Sequence, residues 1–230
     1  MKIPYTRLVR FCRPGVLVAG AVLSLGVPSS VRADTMQENV SHSATILRSF
    51  ERIPEKAIPR RVLRQARGIA ILEIIKGGFV VSGRGGDGVV VARLPGGGWS
   101  GPSAIATGGA GFGFQVGGEV SEFVLVLNTE DAVRAFSKGG NVSIGGDLSV
   151  AAGPVGRVAE GDVLPNAAIY TYSRSQGLFA GVSLEGTVLV TEEKKNAHYY
   201  GHSVSAQKIL SGSVPAPEGA ARLEAVLNGI

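Results

Sequence analysis

Glycine sets the first limit on what this chain can fold into: 34 of its 230 residues are glycine, and only 6% are aromatic. A glycine inside a strand weakens it unless something packs against its bare face. No G-x-y period runs through the sequence, so these glycines do not build a collagen-like rod. Some alternate with bulky residues instead. Phe112, Phe114 and Val116 stand between Gly111, Gly113 and Gln115, which gives a strand one bulky face and one nearly bare one. A bare face admits a close neighbour, either a second backbone layer or an acyl chain. With 44% hydrophobic residues and a mean hydropathy of +0.23, the chain can bury a core, and its length suits one domain.

The apolar spacing changes along the chain. Val40, Ala44, Ile46, Leu47 and Phe50 recur at helical intervals within 34–53, a helical lead-in. A second, short helix is expected from Pro59 to about Gln65, with Gly68 as its stop. Strand patterns follow at 69–75, 79–82 and 89–93, separated by expected turns at Gly77-Gly78 and Gly83–Gly88. Val120–Leu127 is another strand, and Thr129-Glu130-Asp131 caps a helix that Gly139-Gly140 ends. Alternation returns at 142–152, 168–172 and 178–190, and helical spacing at 205–210 and 218–227. The expected fold is α+β: a β-rich antiparallel sheet system, a sandwich or partly closed barrel, with helices packed on it from both ends of the chain.

The first 33 residues have the layout of a secretory signal: a basic start, an apolar run from Val16 to Val27, and small residues at positions 31 and 33 of Val31-Arg32-Ala33. Cleavage before Asp34 and a secreted or periplasmic location are the expectation, with the domain proper at 54–230. The run is too short to span a bilayer as a helix, which takes about 20 residues. This segment also explains the net charge of +5. It holds Lys2, Arg7, Arg10, Arg13 and Arg32 and no acid; removing these five from 23 basic residues leaves 18, against 18 acidic ones. A neutral body gives no reason to expect nucleic acid as a partner. Cys12 is the only cysteine and precedes the apolar run, so the cleaved chain has neither a disulfide nor a thiolate.

Patterns that resemble catalytic or cofactor motifs fail on context. Gly83, Gly85 and Gly88 fit G-x-G-x-x-G, but Val89-Val90-Val91 favours a strand where a dinucleotide site needs a helix. His198 and His202 have the spacing of two metal ligands on one helix face, but no third ligand is evident and Gly201 weakens that helix; no metal or cofactor is assigned. Glu119 and Glu122 fall on opposite faces of a strand and read as solvated edges. The basic cluster is more informative. Arg48, Arg52, Lys56, Arg60, Arg61, Arg64 and Arg67 face only Glu51 and Glu55 over residues 48–67. In the short helix Ile58, Val62 and Leu63 make an apolar face, which either packs inward or faces a membrane, and the arginines make a basic one.

An ordered series of segments resembles the SYLF domain family, whose members bind lipid and in some cases actin. The resemblance rests on Ile53-Pro54, Ala66–Ile71, Gly77-Gly78-Phe79, Gly88–Arg93 and the run Trp99, Ser100, Gly101, Pro102, Ser103. It continues through Gly153, Pro154, Val155, Gly156 and Arg157, then from Tyr172 past Gly177, Phe179 and Gly181 to Gly186. The resemblance implies a non-enzymatic domain that binds phosphoinositide or another anionic phospholipid through its amino-terminal amphipathic region, matched here by Arg60, Arg61, Arg64 and Arg67. With the export signal, it suggests a secreted, bacterial-type, single-domain member at an envelope membrane surface, and export argues against actin as a partner. Two other readings are an envelope structural or protein-interaction domain without a lipid ligand, and a hydrolase with a dispersed site.

Overall fold

The computed structural model describes residues 35–52, 57–155, 166–177, 184 and 187–230, apart from the side chains at 79–82, 110–116 and 177. These residues belong to a compact unit, Asp34–Ile230. The expected signal segment lies outside the described residues.

Two strands of 25 residues dominate: β1, Gly68–Ala92, and β2, Ser103–Leu127, paired antiparallel from Gly68 opposite Leu127 to Val90 opposite Ser103. A straight strand of that length would run about 80 Å, whereas a domain of this size has a radius of gyration of about 16 Å. The ribbon therefore has to fold over. At the bend Gly77 faces Gly118 and Gly78 faces Gly117, Gly117 has φ 148°, and the register shifts between Phe79 and Val81. Beyond it the second arm of β1 returns alongside the first. The Arg93 amide donates to the Arg67 carbonyl at 2.8 Å, and Gly86 and Gly88 lie against residues 71–74. A Cβ on Gly88 would overlap the Ile71 carbonyl and stand 2.6 Å from Leu72 Cβ; one on Gly86 would stand 2.5 Å from the Glu73 carbonyl. The expected turns at 77–78 and 83–88 are thus absent. Those glycines belong to an uninterrupted strand, where they permit a bend and a close approach.

Four shorter strands complete the sheet: β3 (Asn141–Ser143), β4 (Val150–Ala152), β5 (Ile169–Gly177) and β6 (Val188–Thr191). The order is β3-β6-β2-β5-β4, with β1 also on β2. Counting each arm of the long strands, the curled sheet has eight segments and forms a half-barrel. Only β4 and β5 pair in parallel among the described strands. The expected α+β class and the partly closed, β-rich sheet hold, with a mixed rather than wholly antiparallel ladder.

Both faces of this sheet are covered, which is why the arms read as near-continuous apolar runs. Ile69, Ile71, Val89, Val91, Val124 and Val126 face one core, under α1 (Met36–Glu51), α2 (Arg60–Gln65) and α6 (Ala221–Leu227). Ala70, Leu72, Val90, Phe123 and Leu125 face the other, with α3 (Glu130–Ser137) and α5 (Ala206–Leu210). Thr35 and Glu38 form a capping box on α1, and Thr129 caps α3 by accepting from the Ala132 amide. Gly68 does not stop α2. The helix already gives way at Ala66, which is extended, and Gly68 opens β1 where a Cβ would press on Val91 and Val133.

Replacing Gly88 by alanine should lower the unfolding free energy by about 1–3 kcal/mol or more, because its neighbour is backbone and cannot rotate away. Gly96→Ala, in open space, should stay within about 0.5 kcal/mol. Urea unfolding of the two variants against the parent checks this.

Candidate basic docking surface

Helix α2 has only six residues, too few to be stable alone, so packing must hold it. Ile58, Val62 and Leu63 are 3%, 2% and 1% exposed and belong to the core under α1. They pack inward, and the membrane-facing alternative for them is set aside: extracting them would expose the apolar surface that fixes the helix. Arg60, Arg61 and Arg64 are exposed on the opposite side. Arg67 is exposed too, with its Nε 3.5 Å from Glu130, an arrangement that contributes little at a solvated surface. The Glu51 carboxyl at the end of α1 is pushed up by burial, against the opposing pull of Arg60 and Arg48.

The carboxyl end of α2 is held by the last residue of the family-like run Gly88–Arg93, whose role no local pattern marks. Arg93, at the end of β1, donates from Nη2 to the Leu63 carbonyl at 3.1 Å and from Nε to the Ala66 carbonyl at 3.0 Å. It pairs the Ala66 carbonyl, which the helix end leaves without an intrahelical partner, and is a second donor to the Leu63 carbonyl, which also accepts from the Ala66 amide at 3.3 Å. Burial, and secondarily Arg67, lowers its pKa. Its guanidinium lies 4.2 Å from the Trp99 ring centroid, and the Trp99 indole donates to the Leu227 carbonyl in α6 at 3.1 Å. One chain of contacts thus fixes α2, the β1–β2 connection and the last helix.

The other family-motif residues are structural where they can be seen. The Ser100 hydroxyl accepts from the Ala92 amide and donates to the Gly101 carbonyl, both at 2.9 Å, and Tyr200 donates to the Pro102 carbonyl at 3.0 Å. Asn196, fully buried in α4 (Glu193–Tyr200), accepts from the Ala104 amide at 2.7 Å and donates to the Ser103 hydroxyl at 3.0 Å. Its role was not legible, because a lone polar residue in a short helix carries no pattern. Gly153 leaves room for the Tyr172 ring, whose hydroxyl donates to the Pro154 carbonyl at 3.1 Å. Gly153, Tyr172, Phe50 and Arg174 also line a cavity of about 470 Å³. Gly177 ends β5 opposite Glu119. Gly156, Arg157, Phe179, Gly181 and Gly186 lie outside the described residues.

Two polar assignments change. Glu119 is not a solvated edge: β2 lies within the sheet, and Glu119 is 2% exposed and accepts from Ser121 at 2.9 Å. Glu122 is paired with Arg174 on β5. His198 and His202 do not share a helix face, because Gly201, at φ 75°, ends α4 between them. His42 is instead brought to 3.6 Å from Glu73.

The fold and this surface together define a covered, curled sheet that presents a fixed basic turn. The chain belongs to the Ysc84 family. Residues 108–230 match the family described as Las17-binding protein actin regulator, and the SYLF resemblance is thereby upheld. The chain is 47% identical over 209 residues to the human SH3 domain-containing YSC84-like protein 1, covering 88% of this chain and 60% of that protein. To the Xenopus laevis protein of the same name it is 47% identical over 210 residues, covering 88% and 61%. To yeast Protein YSC84 it is 43% identical over 210 residues, covering 87% and 44%. The chain therefore spans about 60% or less of these relatives, which are eukaryotic; binding and regulation are named in the family description. The expectation that argued against actin is corrected: the family it belongs to is described as an actin regulator.

Arg93→Lys removes the two-pronged cap and should cost about 1–3 kcal/mol, because a carbonyl at the end of α2 then loses its donor. As Trp99 is the only tryptophan, its emission reports the same event. A shifted spectrum and an earlier unfolding midpoint are expected together.

Proposed function

We propose that this chain is a non-enzymatic binding domain that docks on anionic phospholipid through Arg60, Arg61 and Arg64, with Arg67 at the border of the patch. The observation that carries this reading is the division of labour in α2: its apolar residues are committed to the core while its arginines stand exposed on a helix pinned at its end. Such a surface attracts phosphate groups without inserting, with about 1 kcal/mol from each basic side chain near an anionic membrane. Among the described residues no helix is long and apolar enough to cross a membrane. The reading includes export, with removal of the first 33 residues. The order of basic, apolar and small residues there supports it, as does a compact unit beginning at Asp34.

The family description favours a second reading, in which the same basic face takes an acidic protein of the actin-regulating machinery and the amino terminus is retained. Terminal sequencing of the expressed product separates the two: Asp34 as first residue goes with the first, Met1 with the second.

The direct test is co-sedimentation of the chain with phosphatidylcholine vesicles, with and without phosphatidylserine. Binding should require the anionic lipid. Reversing Arg60, Arg61 and Arg64 to glutamate should weaken it about a hundredfold or more while folding survives. Raising salt from 0.1 to 1 M, which shortens the Debye length from about 10 to about 3 Å, should have the same effect. Binding indifferent to charge reversal and salt rejects this surface, and a failure to bind any vesicle favours the protein partner.

A further inference from the structure

Away from the basic surface, α1 brings a histidine over two carboxylates. Glu73 on β1 and Glu122 on β2 are direct partners in the ladder and so project to the same side. Two like charges so placed repel. Glu122 is next opposite Arg174 on β5 and is ion-paired with it. His42, half-buried on α1, completes the group with its Nε2 3.6 Å from Glu73. With His42 neutral, these four side chains sum to one negative charge.

The geometry of the group is that of a ligand set. One atom from each of His42, Glu73 and Glu122 can be chosen so that all three lie within 4.8 Å of one another. In a tetrahedral zinc site, with bonds of about 2.0–2.2 Å, ligand atoms stand about 3.4 Å apart. The His42–Glu73 pair is already near that spacing, and closing the remainder takes side-chain motion on the order of 1 Å. The carboxylates are partly sheltered, at 23% and 14% side-chain exposure, and His42 is open to solvent at 43%, so an ion has a way in. Arg174 engages Glu122 through one carboxylate oxygen, Oε2, and lies 5.7 Å from the Phe50 ring. The other oxygen of Glu122 is the one to reach an ion, and Arg174 becomes a positioning residue behind it.

We propose that His42, Glu73 and Glu122 bind a divalent transition metal ion of the zinc class. An imidazole with two carboxylates suits zinc and its first-row neighbours, whereas calcium and magnesium prefer oxygen-only sets. Three protein ligands leave a fourth position for water. The ligands come from α1, β1 and β2, so the ion ties the first helix to the two long strands. Because the unfolded chain has no such site, binding stabilises the folded state. The inference does not depend on lipid docking.

The experiment uses the full chain after dialysis against a chelator, titrated with zinc chloride by calorimetry and followed by thermal unfolding. One zinc per chain and a raised midpoint are expected, with neither calcium nor magnesium raising it. His42→Ala and Glu73→Gln should each weaken zinc binding by more than the roughly 10–100-fold typical of losing an outer-shell partner. Both variants should melt close to the parent without metal, since the His42 side chain is half-exposed and glutamine keeps the shape of Glu73. His198→Ala and His202→Ala should bind zinc like the parent. Cobalt in place of zinc should give visible absorption that His42→Ala abolishes. Absence of saturable zinc binding, or zinc affinity unchanged in both His42→Ala and Glu73→Gln, overturns the proposal. So does loss of zinc on removing His198 or His202.

Discussion

The close approach of the two arms of β1 is the constraint on which the rest of the structure depends. Where Gly86 and Gly88 lie against residues 71–74 there is no room for a side chain. The approach doubles the long ribbon, gives the sheet its curl and creates two faces that helices must cover. It also brings the end of β1 back beside its beginning, so that the Arg93 amide meets the Arg67 carbonyl. Only from there can the Arg93 side chain reach the end of α2. Strand geometry and the basic surface are therefore one problem: a loosened ribbon would leave a six-residue helix without its cap.

That dependence bears on how the surface works. An amphipathic helix that inserts into a membrane must have its apolar face available. Here Ile58, Val62 and Leu63 are already buried in the core that α1 also packs into. Binding through the arginines is then an electrostatic contact by a fixed surface, sensitive to salt and to charge, with little cost in reordering. The proposed ion site acts on the same core by fastening α1, whose apolar residues belong to it with those of α2.

Helices were the most legible part of the sequence. Thr129 with its early acids is a local signal at an observed helix start, and the helical spacings at 34–53, 205–210 and 218–227 each meet an observed helix. The strands were legible as apolar runs but not as a ribbon. Glycines at 77–78 and 83–88 carry the composition of turns, and only the partner strand, distant in sequence, shows that they permit a bend and a contact. Glu119 was misread for the same reason, because edge or interior is decided by pairing. The arginines of α2 were legible from charge spacing, whereas the direction of its apolar face was not. Arg93 and Asn196 act through contacts across 30 and 92 residues, which no local pattern reveals. His42, Glu73 and Glu122 form a group only once a helix and two strands are packed together.

The central claim is that α2 meets its partner as a fixed basic surface with its apolar face still in the core. Hydrogen exchange at the amides of residues 63–66, compared with and without saturating phosphatidylserine vesicles, tests it most directly. The account predicts that these amides are protected in the free chain and remain at least as protected when bound. Accelerated exchange at residues 63–66 on vesicle binding would show the helix leaving the core, and would contradict it.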